Sequence, residues 1–288
     1  MKSKLKSILY KLLAGTIGNL LVFLQPKKAK ELSKDRITLI HKNKNSMTIS
    51  ERLMRAALVT KLDKIEDHEA IREANRNFWL NKSATELFSE TEDGFEKDFL
   101  PNCAFIFKKL KKELAKTNSK EKFTTVVEVG TGNGDVLNWL SEEFPNINRF
   151  VGIDLSADQI NINNAKFHAN KRLEFVAADA FEWVQEHGQS HTIFVSSRGV
   201  LEYFIESRLQ EFLIEINNLG NTFFVAIEPN GGDHDFEKTL NSQLYGNEPS
   251  FSHNYPHLFK NAGFSLWHFS QQPWLGGKDM QTFVGAKS

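Results

Sequence analysis

The sequence predicts an α/β protein, a largely parallel sheet covered by helices on both faces and preceded by a helical extension. Three observations carry this reading. After Lys122, short β-branched and aromatic runs alternate with helical stretches, the pattern of strands buried on both faces. The first run ends in a glycine-rich turn, VVEVGTGNGD, from which a helix starts at once. The last two runs are joined only by PWLGGKD, too short for a crossover helix, so they should pair antiparallel. Strands are expected at 124–129, 149–154, 173–177, 191–196, 222–228, 264–270 and 280–286.

At 288 residues the chain suits one main domain with an extension. Three parts are expected: a basic amphipathic segment over 1–45, a helical cap over 46–118, and the sheet domain over 119–288.

The head opens MKSKLKSILYKLLAGTIGNLLVFLQPKK. Its apolar residues Leu5, Ile8, Leu9, Leu12, Leu13, Ile17, Leu20, Leu21 and Leu24 recur at the spacing of one helical face, and Pro26 is expected to stop the helix. Lys4, Ser7, Lys11, Gly15 and Asn19 fall on the other face. The charge-free run from Leu12 to Gln25 is shorter than the roughly 20 residues a spanning helix needs. Residues 4–25 are therefore expected either to lie on an anionic membrane surface or to pack against protein. No small-residue cleavage site follows the apolar core, so export is not expected.

From Thr48 to about Thr117 the periodicity stays helical. Thr48 and Glu51 have capping-box spacing ahead of Met54, Ala57, Leu58, Leu62 and Ile65. After Pro101, Ile106, Leu110 and Leu114 share one side of a helix, and Lys108, Lys109, Lys111 and Lys112 form a solvated face. The segment NRNFWLNKSATELF between these helices is aromatic and polar at once, suited to a packing joint or to a lid over a ligand.

Composition narrows the class. With 40% hydrophobic and 25% charged residues the chain is globular, and its single cysteine, Cys103, excludes an intramolecular disulfide framework or a multi-thiolate zinc site. A reducing, cytoplasmic location is expected, at the inner membrane face if the head takes the first of its two alternatives. The net charge is zero, but residues 1–45 hold eleven basic and two acidic groups, a balance of +9, and the rest carries −9. An acidic body disfavours nucleic acid.

In VVEVGTGNGD, Gly130, Gly132 and Gly134 allow a tight turn and close approach of a ligand to the backbone. By itself this spacing says little. In VGIDLS and VAADAF, however, Asp154 and Asp179 stand at the ends of the next two strands, and in an open α/β sheet the carboxyl ends of the strands border the ligand crevice. The dinucleotide-binding fingerprint G-x-G-x-x-G or A is not met, because Asp135 occupies its last position.

On these residues, 124–286 resemble the class I S-adenosylmethionine-dependent methyltransferases. The resemblance implies a Rossmann-like seven-stranded sheet in the order 3-2-1-4-5-7-6 with strand seven antiparallel, and S-adenosyl-L-methionine as cofactor. It also implies that Glu128, Gly130, Thr131, Gly132 and Gly134 lie under the methionine end of the cofactor. Asp154 and Leu155 would lie at the ribose, and Asp179 and Ala180 at the adenine. The fourth strand ends in VSSRGVLEYF and lacks the Asn/Asp-Pro-Pro-Tyr/Phe motif of the amino-methyltransferases, which lowers exocyclic amines and glutamine amides as substrates. The acidic residues that hold metal in catechol-type relatives are also missing, so no metal is expected.

Methyl transfer needs a base only if the acceptor has a proton to lose. His234, between Asp233 and Asp235, is the first candidate, and His253, beside Asn254 and Tyr255, the second. A capping or substrate-binding role fits either histidine equally well. Arg198 and Glu202 are candidates for binding a polar acceptor, Glu202 or Tyr203 for facing the cofactor's amino-acid end, and Glu228 for capping the sheet. The expected activity is methylation of a small-molecule acceptor, at oxygen, with no nucleic-acid partner. The alternatives are a membrane-surface scaffold on a retained cofactor-binding fold and a nicotinamide-type oxidoreductase.

Overall fold

A β-branched run with helices on both sides is stable as a strand only if both of its faces are covered, and β1 (Thr125–Val129) is buried at every position. The structure, a computed structural model, describes residues 9–10, 12–35, 47–65, 67–80, 94–117, 122–246, 249–273 and 279–288. The remaining strands of the main sheet are β2 (Arg149–Asp154), β3 (Leu173–Ala177), β4 (Thr192–Ser197), β5 (Phe223–Asn230), β6 (Ser265–Pro273) and β7 (Met280–Lys287). All seven strands expected from the sequence are present. They lie in the order 3-2-1-4-5-7-6, with β7 antiparallel to both β5 and β6. The joint between β6 and β7 lies largely outside the described residues.

Two units make up the chain: Met1–Phe78 with Leu244–Ser250, and Trp79–Gln243 with Phe251–Ser288. In the second unit, alternate strand residues face opposite layers. Val127, Val129, Val151, Ile153, Phe194 and Phe224 pack under helices that include Glu206–Asn218 and Tyr255–Asn261. Val126, Phe150, Ile193, Val195, Phe223 and Phe283 face the other layer, with Leu137 and Leu140 of Asp135–Glu143.

That second layer also holds the helix Leu100–Leu114, which corrects the expected domain boundary. Cys103, Ile106, Phe107 and Leu110 are buried in the same cluster as the sheet residues, and Phe107 meets the Trp139 ring at 5.3 Å. A helix whose apolar stripe covers a sheet face folds with that sheet, so the division falls at Phe78 and Trp79 instead of at 118. The four lysines of its outer face are exposed. Part of the NRNFWLNKSATELF segment ends the helix His68–Trp79, and its residues from 81 on lie outside the described ones.

The first unit contains the helices Asn19–Leu24, Pro26–Asp35, Ile49–Lys64 and His68–Trp79. It clusters residues 1–78 together, so 1–45 is not a separate part. Pro26 ends one helix and opens the next, since its missing N–H costs nothing in a first turn. Ile49–Lys64 starts with a full capping box: the Thr48 N–H donates to Glu51 at 2.9 Å and the Glu51 N–H to the Thr48 hydroxyl at 3.3 Å.

Phe107→Ala should destabilise the protein by about 3–5 kcal/mol in urea unfolding, and Lys108→Ala by less than about 0.5 kcal/mol. Equal, small effects would show that the helix is dispensable to the sheet.

Candidate functional site

Past Val129 the chain must reverse direction and start a helix within five residues. It does so through Gly130, Gly132 and Gly134, at φ of 67°, 51° and 77°, a left-handed backbone that side chains other than glycine seldom adopt. The Thr131 N–H donates to the Ile153 carbonyl at 2.9 Å, fastening the turn to β2. Two of the glycines also make room for protein. A Cβ on Gly130 would come within 2.5 Å of Val200, and one on Gly134 within 2.8 Å of Phe167. Positive φ is thus one reason for glycine here, and packing is another that the sequence did not reveal.

Asp154 ends β2, and its side chain turns back onto this loop. Oδ2 accepts from the Gly132 N–H at 3.0 Å and Oδ1 from the Ser156 N–H at 3.0 Å. Burial pushes the carboxyl up from its ordinary value, while these N–H groups pull it down. Leu155 is half-buried between Asp154 and Ser156, the N-cap of the helix Ala157–Lys166. From within that helix Asn163 donates to the Gly132 carbonyl at 2.7 Å, and Gln159 holds Asn163 at 2.9 Å. Sequence reasoning missed both residues. The Ser156 and Gln159 pair had a legible capping spacing, but a polar residue inside a helix gives no such signal.

The end of β3 joins the same network, since the Ala178 N–H donates to the Asp154 carbonyl at 3.0 Å. Asp179 then caps the helix Ala180–His187, its Oδ1 accepting from the Phe181 N–H at 2.9 Å, and Arg208 approaches the same oxygen at 3.3 Å. Ala180 is the first residue of that helix.

Glu128 points from β1 into the protein and is 1% exposed. It accepts hydrogen bonds from the Thr131 hydroxyl at 2.8 Å and the Ser197 hydroxyl at 3.3 Å. Burial pushes its carboxyl up to about 8 despite these donors, because no cation offsets the loss of water.

Behind the glycine loop, Arg198 and Gly199 follow β4 at φ of 65° and 98°, and this turn aims successive N–H groups at one acceptor. That acceptor is Glu228 of β5, whose Oε2 receives the Val200 N–H at 3.0 Å and the Leu201 N–H at 3.1 Å. Burial raises its carboxyl to about 7. His253 holds the same residue from its other end, with Nε2 donating to the Leu201 carbonyl at 3.1 Å and Nδ1 accepting from the Ser242 hydroxyl at 2.5 Å. Because Val200 fills the space at Gly130, Glu228 and His253 support the glycine loop indirectly.

The two expected base residues are engaged within the protein. The His253 ring is fully buried, both of its nitrogens are engaged, and its pKa is pushed down to about 3. His234 is also buried, with Nδ1 on the Ser252 hydroxyl at 2.8 Å and Nε2 on the Thr239 carbonyl at 3.2 Å. A carbonyl only accepts, so Nε2 carries the proton and Nδ1 spends its lone pair on Ser252. Arg198 is an ion-pair partner of Asp98 and also donates to the Gly94 carbonyl at 3.4 Å. Glu202 is buried, and the Tyr203 ring packs edge-on to Trp79 at 5.6 Å.

Comparison with known proteins agrees with this layout. Residues 126–220 match a family model described as a methyltransferase domain. Over 117 residues the chain is 30% identical to a bifunctional methyltransferase of Rickettsia conorii, a match spanning 40% of this chain and 21% of that relative's length. Among solved structures, the magnesium protoporphyrin IX methyltransferase of Synechocystis PCC 6803 superposes with a TM-score of 0.51 at 11% identity, covering 75% of this chain and 96% of that one. A methyltransferase from Leishmania major gives 0.51 at 9% identity, over 75% and 82% of the two chains. These structures establish a shared fold. With the strand order, they show the Rossmann-like methyltransferase fold expected from the sequence, and residues 126–220 match a methyltransferase domain within it.

The folded Glu128 carboxyl, at about 8, keeps a proton that the unfolded chain releases near 4.5, so this group's contribution to stability falls as pH rises between those values. Glu128→Gln, which cannot ionise, should therefore melt above the wild type at pH 8, with the difference vanishing near pH 4.5. Thermal melts across that range test it, and a constant difference would place the cause elsewhere.

Proposed function

We propose that the protein transfers a methyl group from S-adenosyl-L-methionine to a small-molecule acceptor, at oxygen. The observation that carries this reading is the Asp154 carboxylate, fixed by the Gly132 and Ser156 N–H groups at the strand end that borders three left-handed glycines. Each of its oxygens accepts a backbone bond, and a carboxylate oxygen has capacity for more than one, which suits a vicinal diol such as a ribose. Asp179 uses Oδ1 to cap its helix, and with Ala180 would hold the adenine. Glu128 and the glycine loop would hold the methionine end, where a cationic ligand would favour the ionised form of a carboxyl that burial keeps protonated.

When bound, the cofactor supplies an electrophilic methyl group on a cationic sulfur. The chain's part is to orient the two reactants and exclude water. With both nitrogens of His234 and His253 engaged, proton loss from the acceptor is assigned to neither ring. Small-molecule oxygen acceptors are favoured by the strand-four ending Ser196-Ser197-Arg198-Gly199, which lacks the amino-methyltransferase motif, and by the acidic balance of residues 46–288.

Asp154→Ala should weaken S-adenosylmethionine and S-adenosylhomocysteine by at least about tenfold in titration calorimetry, because charge-assisted hydrogen bonds are lost. Unchanged affinity would overturn the site. Burial lowers the His234 pKa from the ordinary histidine value, so in turnover with methyl-labelled cofactor the pH–rate profile should show no limb below about 6.5 that His234→Gln removes. Such a limb would return His234 to the role of base.

A further inference from the structure

The N-terminal helical stretch turns its large apolar residues away from its own packing seam. Ala14 and Gly18 are the buried positions, and Leu21 and Val22 join the small core of Ala29, Leu32, Met47 and Met54. Small residues are needed in this seam because the helices approach closely. A side chain on Gly18 would collide with the Leu53 carbonyl. On the opposite side Leu9, Leu12, Ile17, Leu20, Phe23 and Leu24 are between 46% and 80% exposed.

The Thr16 and Asn19 side chains are satisfied within the stretch, and the Tyr10 hydroxyl donates to the Arg52 carbonyl at 3.0 Å. The Thr16 hydroxyl donates to the Leu12 carbonyl at 2.9 Å and the Asn19 amide to the Gly15 carbonyl at 2.8 Å. Side chains that bond back to their own helix need no water, which suits a surface entering a medium without any. Among the described residues no helix is long and apolar enough to cross a membrane. In sequence, Lys2, Lys4, Lys6 and Lys11 precede Leu12 and Lys27, Lys28 and Lys30 follow Leu24, within a segment of net charge +9.

We infer that this face seats the protein on an anionic lipid surface, with the helix lying in the plane of the interface. A second copy is the other candidate occupant, but it would bring another +9 segment against the first. An anionic bilayer offers an apolar layer and the opposite charge together. This attachment is independent of the methyl-transfer reading, and its test does not measure turnover.

The experiment is co-sedimentation of the full-length protein with vesicles of phosphatidylcholine, with and without about 30% phosphatidylglycerol. The protein should sediment with the anionic vesicles only, and less as salt is added. Leu20→Glu and Phe23→Glu should each lower the bound fraction by about tenfold or more at an unchanged melting temperature, since both side chains are exposed. Absent binding to anionic vesicles, undiminished binding of the variants, or a lipid-free dimer that the variants split in sedimentation velocity would overturn the inference.

Discussion

The hydrogen bond from the Gly132 N–H to Asp154 is the contact on which the candidate site depends. It joins a turn set by local backbone chemistry to a side chain set by long-range strand pairing. The turn needs three residues at positive φ, and the pairing of Val129 with Ile153 brings the end of β2 alongside it. Asn163 holds the Gly132 carbonyl while Asp154 holds its N–H, so the peptide groups on both sides of Gly132 are restrained. With Gly132 held at both its N–H and its carbonyl, the loop has a defined conformation of its own.

Buried ionisable groups around this contact are held by hydrogen bonds, and the Glu228 Oε1 is left unpartnered among the described residues. Glu128 relies on two hydroxyls, Glu228 on backbone N–H groups, and His253 on a carbonyl and a hydroxyl. Burial without a counter-charge drives each toward its neutral form, the carboxyls upward and the imidazole downward. Glu228 and His253 grip the N–H and the carbonyl of the same residue, Leu201, and its neighbour Val200 occupies the space left by Gly130. Residues with the chemistry of acids and bases thus serve as braces for a loop. In sequence a brace and a base look alike, because both are polar residues near a strand end.

The two units use their apolar residues differently. In the sheet unit, phenylalanines such as Phe150, Phe194, Phe223 and Phe283 fill both layers. In the helical unit, close packing at Ala14 and Gly18 leaves leucines outward. The pattern of the head was plain in the sequence, but its orientation was not. An amphipathic period marks a face, and a small-residue seam beside it can take the inward position instead.

The sequence alone determined the strands, their close boundaries, the antiparallel closing pair and the loop that carries Gly130 to Gly134, because these follow from side-chain period, turn chemistry and connection length. It also placed Asp154 and Asp179 at strand ends, since that is a matter of register along the chain. Only the tertiary structure decided that the helix Leu100–Leu114 belongs to the sheet, that Val200 occupies the space a Gly130 side chain would need, and that His234 and His253 have no free nitrogen. Each of those outcomes depends on a partner far away in the chain, and local pattern carries no information about which distant surface a residue will meet.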